Sequence, residues 1–295
     1  MNGEELTIQT KAGAIFARAW GPHEGVPVLA IHGWLDHGGS FARVAERLDP
    51  KLRIVAVDLS GHGRSYQRPP WIPYHLIDWV VEIEDVLDGL KWPTAHLMAH
   101  SLGGAIALFF AAIRPERVKR IVLFDSFGPI NVEPDGLVAR GKGFLEQRKE
   151  LLKKMRKPQA LAALVGARRR STLELTQSEL SNETAELLVR GAFEETPAGW
   201  LPLTDPRLRL PAIAPFSLAQ ILAYLKLVES EVLVFRAKKG ILVPSYGWEE
   251  RKKALKHFTL KEVEGDHYLH LSSPELVAGH VTAFLSDLAT ISPLV

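Results

Sequence analysis

The sequence has no cysteine. That excludes disulfides, a thiolate nucleophile and cysteine-ligated metals, while saying little about compartment. It also has little net charge: 36 Lys and Arg against 34 Asp and Glu leave +2, which argues against nucleic acid or an anionic membrane as the main partner. No apolar run is long enough to span a bilayer. The start, Met1-Asn2-Gly3-Glu4-Glu5-Leu6, lacks the basic-then-apolar pattern of a secretory signal. The end, Pro293-Leu294-Val295, is not a peroxisomal address. The expectation is a cytoplasmic protein. What is present is enough apolar material for a sizeable core, 46% of 295 residues, with no internal repeat or low-complexity tract.

Residues 5–10 and 14–20 alternate in polarity around Lys11-Ala12-Gly13, which predicts a hairpin. Pro27-Val28-Leu29-Ala30-Ile31, Arg53 to Leu59, the run up to His100, Val118 to Phe124, Glu231 to Arg236 and 258–263 are near-continuous apolar runs. These mark strands buried on both faces. Helical text separates them, over 41–48, 75–90, the stretch after Ser101 and 274–289. Alternating strands and helices predict an α/β fold: a mostly parallel sheet with helices on both faces. Between 131 and 228 the pattern changes. The text is helical and broken by Pro197, Pro202, Pro206, Pro211 and Pro215. The reading is a core of 1–130 and 229–295 carrying a helical cap, or lid, over 131–228.

The most informative stretch is Ala99-His100-Ser101-Leu102-Gly103, where a buried strand turns at once into a small-residue helix. It departs from G-x-S-x-G only by Ala99. Such a turn strains the backbone of its serine and crowds the residues two before and two after, so Ala99 and Gly103 suit it. It also brings the Leu102 N–H beside the hydroxyl at a helix N-terminus.

With Ser101 stand His32-Gly33-Trp34-Leu35-Asp36, Ser60-Gly61-His62-Gly63-Arg64-Ser65, the Lys91-Trp92 pair, Leu123-Phe124-Asp125-Ser126 and Gly265-Asp266-His267 with Tyr268-Leu269-His270 after it. In this order the sequence resembles the α/β-hydrolase fold superfamily over nearly its whole length, and within it the serine hydrolase-like branch. The resemblance implies a catalytic triad and a backbone oxyanion hole. Ser101 is the expected nucleophile. His267, last in the chain order serine, acid, histidine, is the expected base. Many family members place the acid in Gly-x-x-Asp-x-x-x-Pro after the strand corresponding to 231–236. Here Gly240 stands at the aspartate position in Ala237 to Pro244. Other members carry it one strand earlier, where this chain has Asp125, so Asp125 is the expected acid, with Asp266 second. The oxyanion donors should be the N–H groups of Trp34 and Leu102.

His32 and His100 read as supports of loop geometry, and Asp58 with Arg64 as a pair holding the Gly61–Gly63 turn. In the cap, Leu145, Leu151, Leu152 and Met155 are expected to share one helix face. Arg148, Lys149, Lys153, Lys154, Arg156 and Lys157 would be its solvated side, with Arg168-Arg169-Arg170 further on. Phe216 to Leu225 is apolar enough either to face the site or to pack on the core. The expected activity is hydrolysis of a carboxylic ester or related acyl bond, without metal or cofactor. The substrate would be a small molecule with an apolar acyl part. Carbon–carbon bond hydrolysis on the same triad is one alternative. A ligand-binding pseudoenzyme, kept open by the missing acid at 240, is another. A serine at 101 argues against dehalogenase and epoxide hydrolase chemistry, which need a carboxylate there. The sequence leaves a homo-oligomer open.

Overall fold

A computed structural model describes residues 3–151, 157–176, 179–242 and 246–286. The chain opens with the hairpin β1 (Glu4–Gln9) and β2 (Ala14–Trp20). Then come β3 (Val26–Ile31), α1 (Ala42–Ala45), β4 (Leu52–Val57), α2 (Leu76–Gly89), β5 (Ala95–His100), α3 (Leu102–Ile113) and β6 (Val118–Phe124). The chain then leaves the main sheet for α4 (Leu137–Leu151), α5 (Leu161–Thr176), α6 (Asn182–Ala192), β7 (Phe193–Thr196), β8 (Gly199–Pro202) and α7 (Leu218–Leu225). It re-enters at β9 (Glu231–Lys239) and closes with α8 (Trp248–Ala254), β10 (Phe258–Asp266), α9 (Leu269–Ser272) and α10 (Glu275–Ser286).

The main sheet has eight strands in the order β1-β2-β4-β3-β5-β6-β9-β10. The pairs β1–β2 and β2–β4 are antiparallel and the rest parallel. Period-two alternation sorts side chains to two cores. Leu29, Ile31, Leu97, Ala99, Ile121 and Leu123 face the helices α2, α3, α7 and α8. Val28, Ala30, Met98, Val122 and Phe124 face α1 and α10. Both faces are apolar, which is why the strands read as unbroken hydrophobic runs. Each of the larger side chains contributes about 1.5–3 kcal/mol by leaving water.

The strand order places the site. β3 lies between β4 and β5, so the chain crosses from one side of β3 to the other after β4. In an open α/β sheet the crevice beyond the carboxyl ends forms where the order reverses. Here the turns after β3 and β5 flank that crevice, and the ends of β6, β9 and β10 follow along the same rim.

Two local expectations need correction. The helix expected over 41–48 is α-helical only for Ala42–Ala45. A 3-10 turn at Gly38–Phe41 precedes it, and the bonds from Arg47 N–H to Val44 O and Leu48 N–H to Ala45 O tighten its end. In the stretch read as purely helical, β7 and β8 form a short antiparallel ladder of their own. Only four residues each, they fall below the length at which alternation is legible. No helix among the described residues is long and apolar enough to cross a membrane.

Candidate active site

Ser101 sits between β5 and α3 with φ 51° and ψ −115°. A non-glycine residue there stores about 1–3 kcal/mol of backbone strain, which the surrounding packing must hold. The Ser101 N–H donates to Phe124 O at 3.2 Å, and Ser126 Oγ donates to Ser101 O at 2.6 Å. The turn also demands bare neighbours. A Cβ on Gly103 would lie 2.1 Å from Ile31 O. A Cβ on Gly33 would lie 2.8 Å from His100 Nδ1 and 3.2 Å from Ser101 Cβ. Ala99 is fully buried, and its methyl is accommodated. Gly103→Val should therefore cost at least about 2 kcal/mol in urea unfolding, since the clash is with backbone that cannot step aside.

His267 follows β10, is 2% exposed, and its ring centroid lies 4.6 Å from that of His100. Its Nδ1 is 2.6 Å from Asp125 Oδ2. A carboxylate only accepts, so Nδ1 carries the proton and Nε2 is left with its lone pair. Asp125 is fully buried and has φ 45° at the end of β6. Its carboxylate also accepts from Ala237 N–H at 3.2 Å and Ile241 N–H at 2.9 Å. Asp266 does not compete. Its Oδ1 accepts from Tyr268 N–H at 2.7 Å and Ser272 Oγ at 3.0 Å, a local turn bond.

The glycine at 240 has a steric counterpart. A Cβ there would stand 2.3 Å from both carboxylate oxygens of Asp125. The two positions share one volume, so a side chain at one excludes the carboxylate of the other. Val243 and Pro244, in the same sequence pattern, lie outside the described residues.

Trp34 and Leu102 both line the cavity that opens on Ser101. The Leu102 N–H, first in its helix, has no intrahelical acceptor. The Trp34 indole donates to Leu208 O at 2.8 Å, tying the loop after β3 to the segment between β8 and α7. Of the two histidines expected to support loops, His32 does so at the turn after β3. His32 Nδ1–H donates to Gly33 O at 2.7 Å, and Nε2 accepts from Leu59 N–H at 3.0 Å. His62 Nε2 accepts from Leu35 N–H at 3.2 Å. The expected Asp58–Arg64 pair is different: Asp58 accepts the Arg64 backbone N–H at 2.9 Å and the Gly38 N–H at 2.7 Å. The Arg64 guanidinium instead reaches Glu5 at 2.8 Å.

His100 Nε2 lies 2.9 Å from the His267 carbonyl and must donate to it. Its Nδ1 then presents a lone pair 3.9 Å from Asp36 Oδ2, a second acceptor. Burial raises the Asp36 carboxyl to about 6, and a proton there relieves the opposition. Asp36, His100 and His270 are the one group of potential metal ligands found among the described residues, with ligating atoms within 4.8 Å of one another. Tetrahedral zinc at about 2.1 Å holds its ligands only about 3.4 Å apart. A water with bonds of about 2.8 Å spaces its partners by about 4.6 Å. The 3.9 Å between His100 Nδ1 and Asp36 Oδ2 falls between these two spacings.

The cavity measures about 840 Å³. Ile130, Val132, Pro215 and Phe216 supply apolar wall. Of the 216–225 segment, Phe216 faces the cavity, while Ile221 and Leu225 are fully buried and Tyr224 stacks on Phe109 at 4.0 Å. In α4 the buried side chain is Phe144, and Leu145 is 55% exposed, contrary to the expected apolar face. Leu152, Lys153, Lys154, Met155 and Arg156 lie outside the described residues. Arg168 is not a solvated charge: it donates to Leu35 O at 3.1 Å and Tyr268 Oη at 2.6 Å, joining α5 to both loops beside the site. Sequence reasoning also missed Arg251. Fully buried, it donates to Phe127 O at 2.9 Å, Pro129 O at 2.8 Å and Tyr246 O at 2.8 Å, fixing the loop that follows Asp125. Nothing in a basic run, Arg251-Lys252-Lys253, distinguishes that arginine from a surface charge.

The fold and this rim of side chains define a protein class. The family model for the alpha/beta hydrolase fold matches residues 26–274. The chain is 32% identical to a serine hydrolase-like protein of Danio rerio, over 95% of this chain and 88% of that one. It is 30% identical to serine hydrolase-like protein 2 of Homo sapiens, over 95% and 93%. The crystal structure of a hypothetical protein from Pseudomonas aeruginosa PAO1 superposes with a TM-score of 0.87 at 33% identity, covering 96% of this chain and 99% of that one. The chain belongs to the α/β-hydrolase family, in its serine hydrolase-like branch. Fold and relatives together support a hydrolase.

Proposed function

We propose that the protein hydrolyses a carboxylic ester or related acyl bond through an acyl-enzyme, with Ser101, His267 and Asp125 as its triad. The observation that carries this reading is the buried 2.6 Å link between Asp125 and His267, on the same sheet rim as a strained serine that opens on a large cavity. The neutral hydroxyl of Ser101 is a poor nucleophile and needs a base. His267 Nε2 takes its proton as the oxygen attacks the carbonyl carbon. Asp125 holds the tautomer and stabilises the imidazolium. The Leu102 and Trp34 N–H groups receive the charge that builds on the carbonyl oxygen. His267 then protonates the leaving group, and water cleaves the acyl-serine by the same steps. None of these steps calls for a metal or cofactor. Residues 131–228 act as a lid on the core of 1–130 and 229–295, shielding the acyl-enzyme from bulk water.

A fluorophosphonate probe tests the assignment. Wild type should be labelled and should release p-nitrophenol from a short p-nitrophenyl ester. Ser101→Ala should lose both. Labelling that persists in Ser101→Ala removes this serine from the role.

A further inference from the structure

The cavity wall carries charge of one sign. Arg140, Arg207 and Arg209 line it, and no aspartate or glutamate does among the described residues. Arg207 is neutralised locally, with Nη2 2.5 Å from Asp205 Oδ2. The other two differ. Arg140, on α4, and Arg209, on the 3-10 turn 206–209 packed against α4, meet no carboxylate among the described residues. Arg209 is exposed, yet its guanidinium is crowded. Burial, then the Arg168 guanidinium, hold its pKa below the ordinary arginine value. An arginine at the cavity wall with no carboxylate partner is one that an anion would stabilise. Most of the remaining wall is apolar, so a charge entering there meets weaker screening than in water.

We infer that the substrate is an acyl compound bearing an anionic group, held by Arg140 and Arg209 while Ser101 attacks its carbonyl. This deepens the hydrolase reading and rests on it. A guanidinium fork matches a carboxylate in two parallel hydrogen bonds, which fixes orientation as well as charge. The apolar wall of Ile130, Val132 and Phe216 takes the hydrocarbon between the two ends. The anion can sit on the acyl side, as a second carboxylate, or on the leaving group, as phosphate; both offer the same oxygens to the arginines.

The test compares three esters. Mono-p-nitrophenyl adipate carries a carboxylate at the far end of a six-carbon acyl chain; p-nitrophenyl hexanoate does not. These two match in chain length and leaving group and differ only in charge. Hexanoyl-coenzyme A places phosphates on the leaving side; it also changes the leaving group and is read by its response to the arginine variants. Wild type should show a kcat/KM for the adipate or the coenzyme A ester at least about tenfold above that for hexanoate, the scale of one charge-assisted contact. In Arg140→Gln/Arg209→Gln that ratio should fall by about the same factor through KM, and Arg140→Lys/Arg209→Lys should recover part of it. A wild-type preference for hexanoate over both charged esters, or a ratio the double variant leaves in place, overturns the inference. Titration of free adipate into wild type and the double variant by calorimetry separates the two readings. If Ser101 is not labelled and no ester turns over, the hydrolase reading fails. Adipate binding lost in the double variant would still uphold the anion site, and absent binding would reject it.

Discussion

Asp125→Asn should lower kcat by about three to four orders of magnitude, with a much smaller change in KM. The carboxylate of Asp125 faces donors on all sides: Ala237 N–H, Ile241 N–H and His267 Nδ1. An amide in its place has one NH2, and either orientation sets that group against a donor. If it faces His267, the ring is driven to the wrong tautomer and Nε2 can no longer take the Ser101 proton. If it faces Ala237, the tautomer survives but the negative charge that stabilises the imidazolium is gone. The effect therefore does not depend on which way the amide turns. The geometry at Gly240 gives this prediction a second arm. The carboxylate now on β6 occupies the volume that a side chain at 240 would enter. Gly240→Ala should thus damage activity by displacing Asp125. In Asp125→Gly, adding Gly240→Asp should restore at least about tenfold in kcat, because glycine keeps the positive φ at 125 and the new carboxylate starts in the vacated space. Steady-state kinetics on a p-nitrophenyl ester reads all four. Asp125→Asn at wild-type kcat would remove Asp125 from the triad.

The largest stability effect should come with acid. Burial holds six imidazoles outside the triad below their ordinary value: His32 and His96 at about 4, His37 and His270 at about 3, and His62 and His100 well below. A group whose folded pKa is depressed supports the fold above its unfolded value, near 6.5 for histidine, and that support is lost as pH falls toward the folded value. At pH 5 each such imidazole costs up to about 2 kcal/mol relative to neutral pH. Asp36 and Asp58 work the other way. Burial raises both to about 6, so their contribution grows as pH drops below that value. Burial raises Glu82 and Asp266 as well, and four carboxyls do not offset six imidazoles. The thermal midpoint should fall by at least about 10 °C between pH 7.5 and 5, measured by scanning fluorimetry. His96, with both ring nitrogens buried and unpartnered, offers a control. His96→Leu should raise the midpoint at pH 5 relative to wild type and flatten the profile. A midpoint that holds steady or rises on acidification would contradict this reading.

The strands of the core were legible because residues such as Leu29 to Ile31 and Ile121 to Phe124 are buried on both faces, and such segments must be apolar throughout. The nucleophile turn was legible because steric crowding restricts positions 99 and 103 to small residues. These constraints are local, and local chemistry is written directly in the residue order. Position 240 was different. The sequence showed that a carboxylate was missing there, and the resemblance to family members with the acid one strand earlier pointed to Asp125. That the gap is filled by Asp125, reaching across from the neighbouring strand, follows from the β6–β9 pairing, which no spacing along the chain encodes. The same holds for Arg168 and Arg251, which look like surface charges in the text yet are bound to carbonyls in the fold. It holds again for Arg140 and Arg209, whose shared cavity wall depends on how α4 packs against the 206–209 turn. The sequence by itself determined the layers and the strained serine, since burial and backbone strain act on residues one by one, and its resemblance to the family supplied the candidate base by chain order. The tertiary structure alone decided how closely the expected acid approaches that base and which charges stay unanswered, because both are matters of distance between segments far apart in the chain.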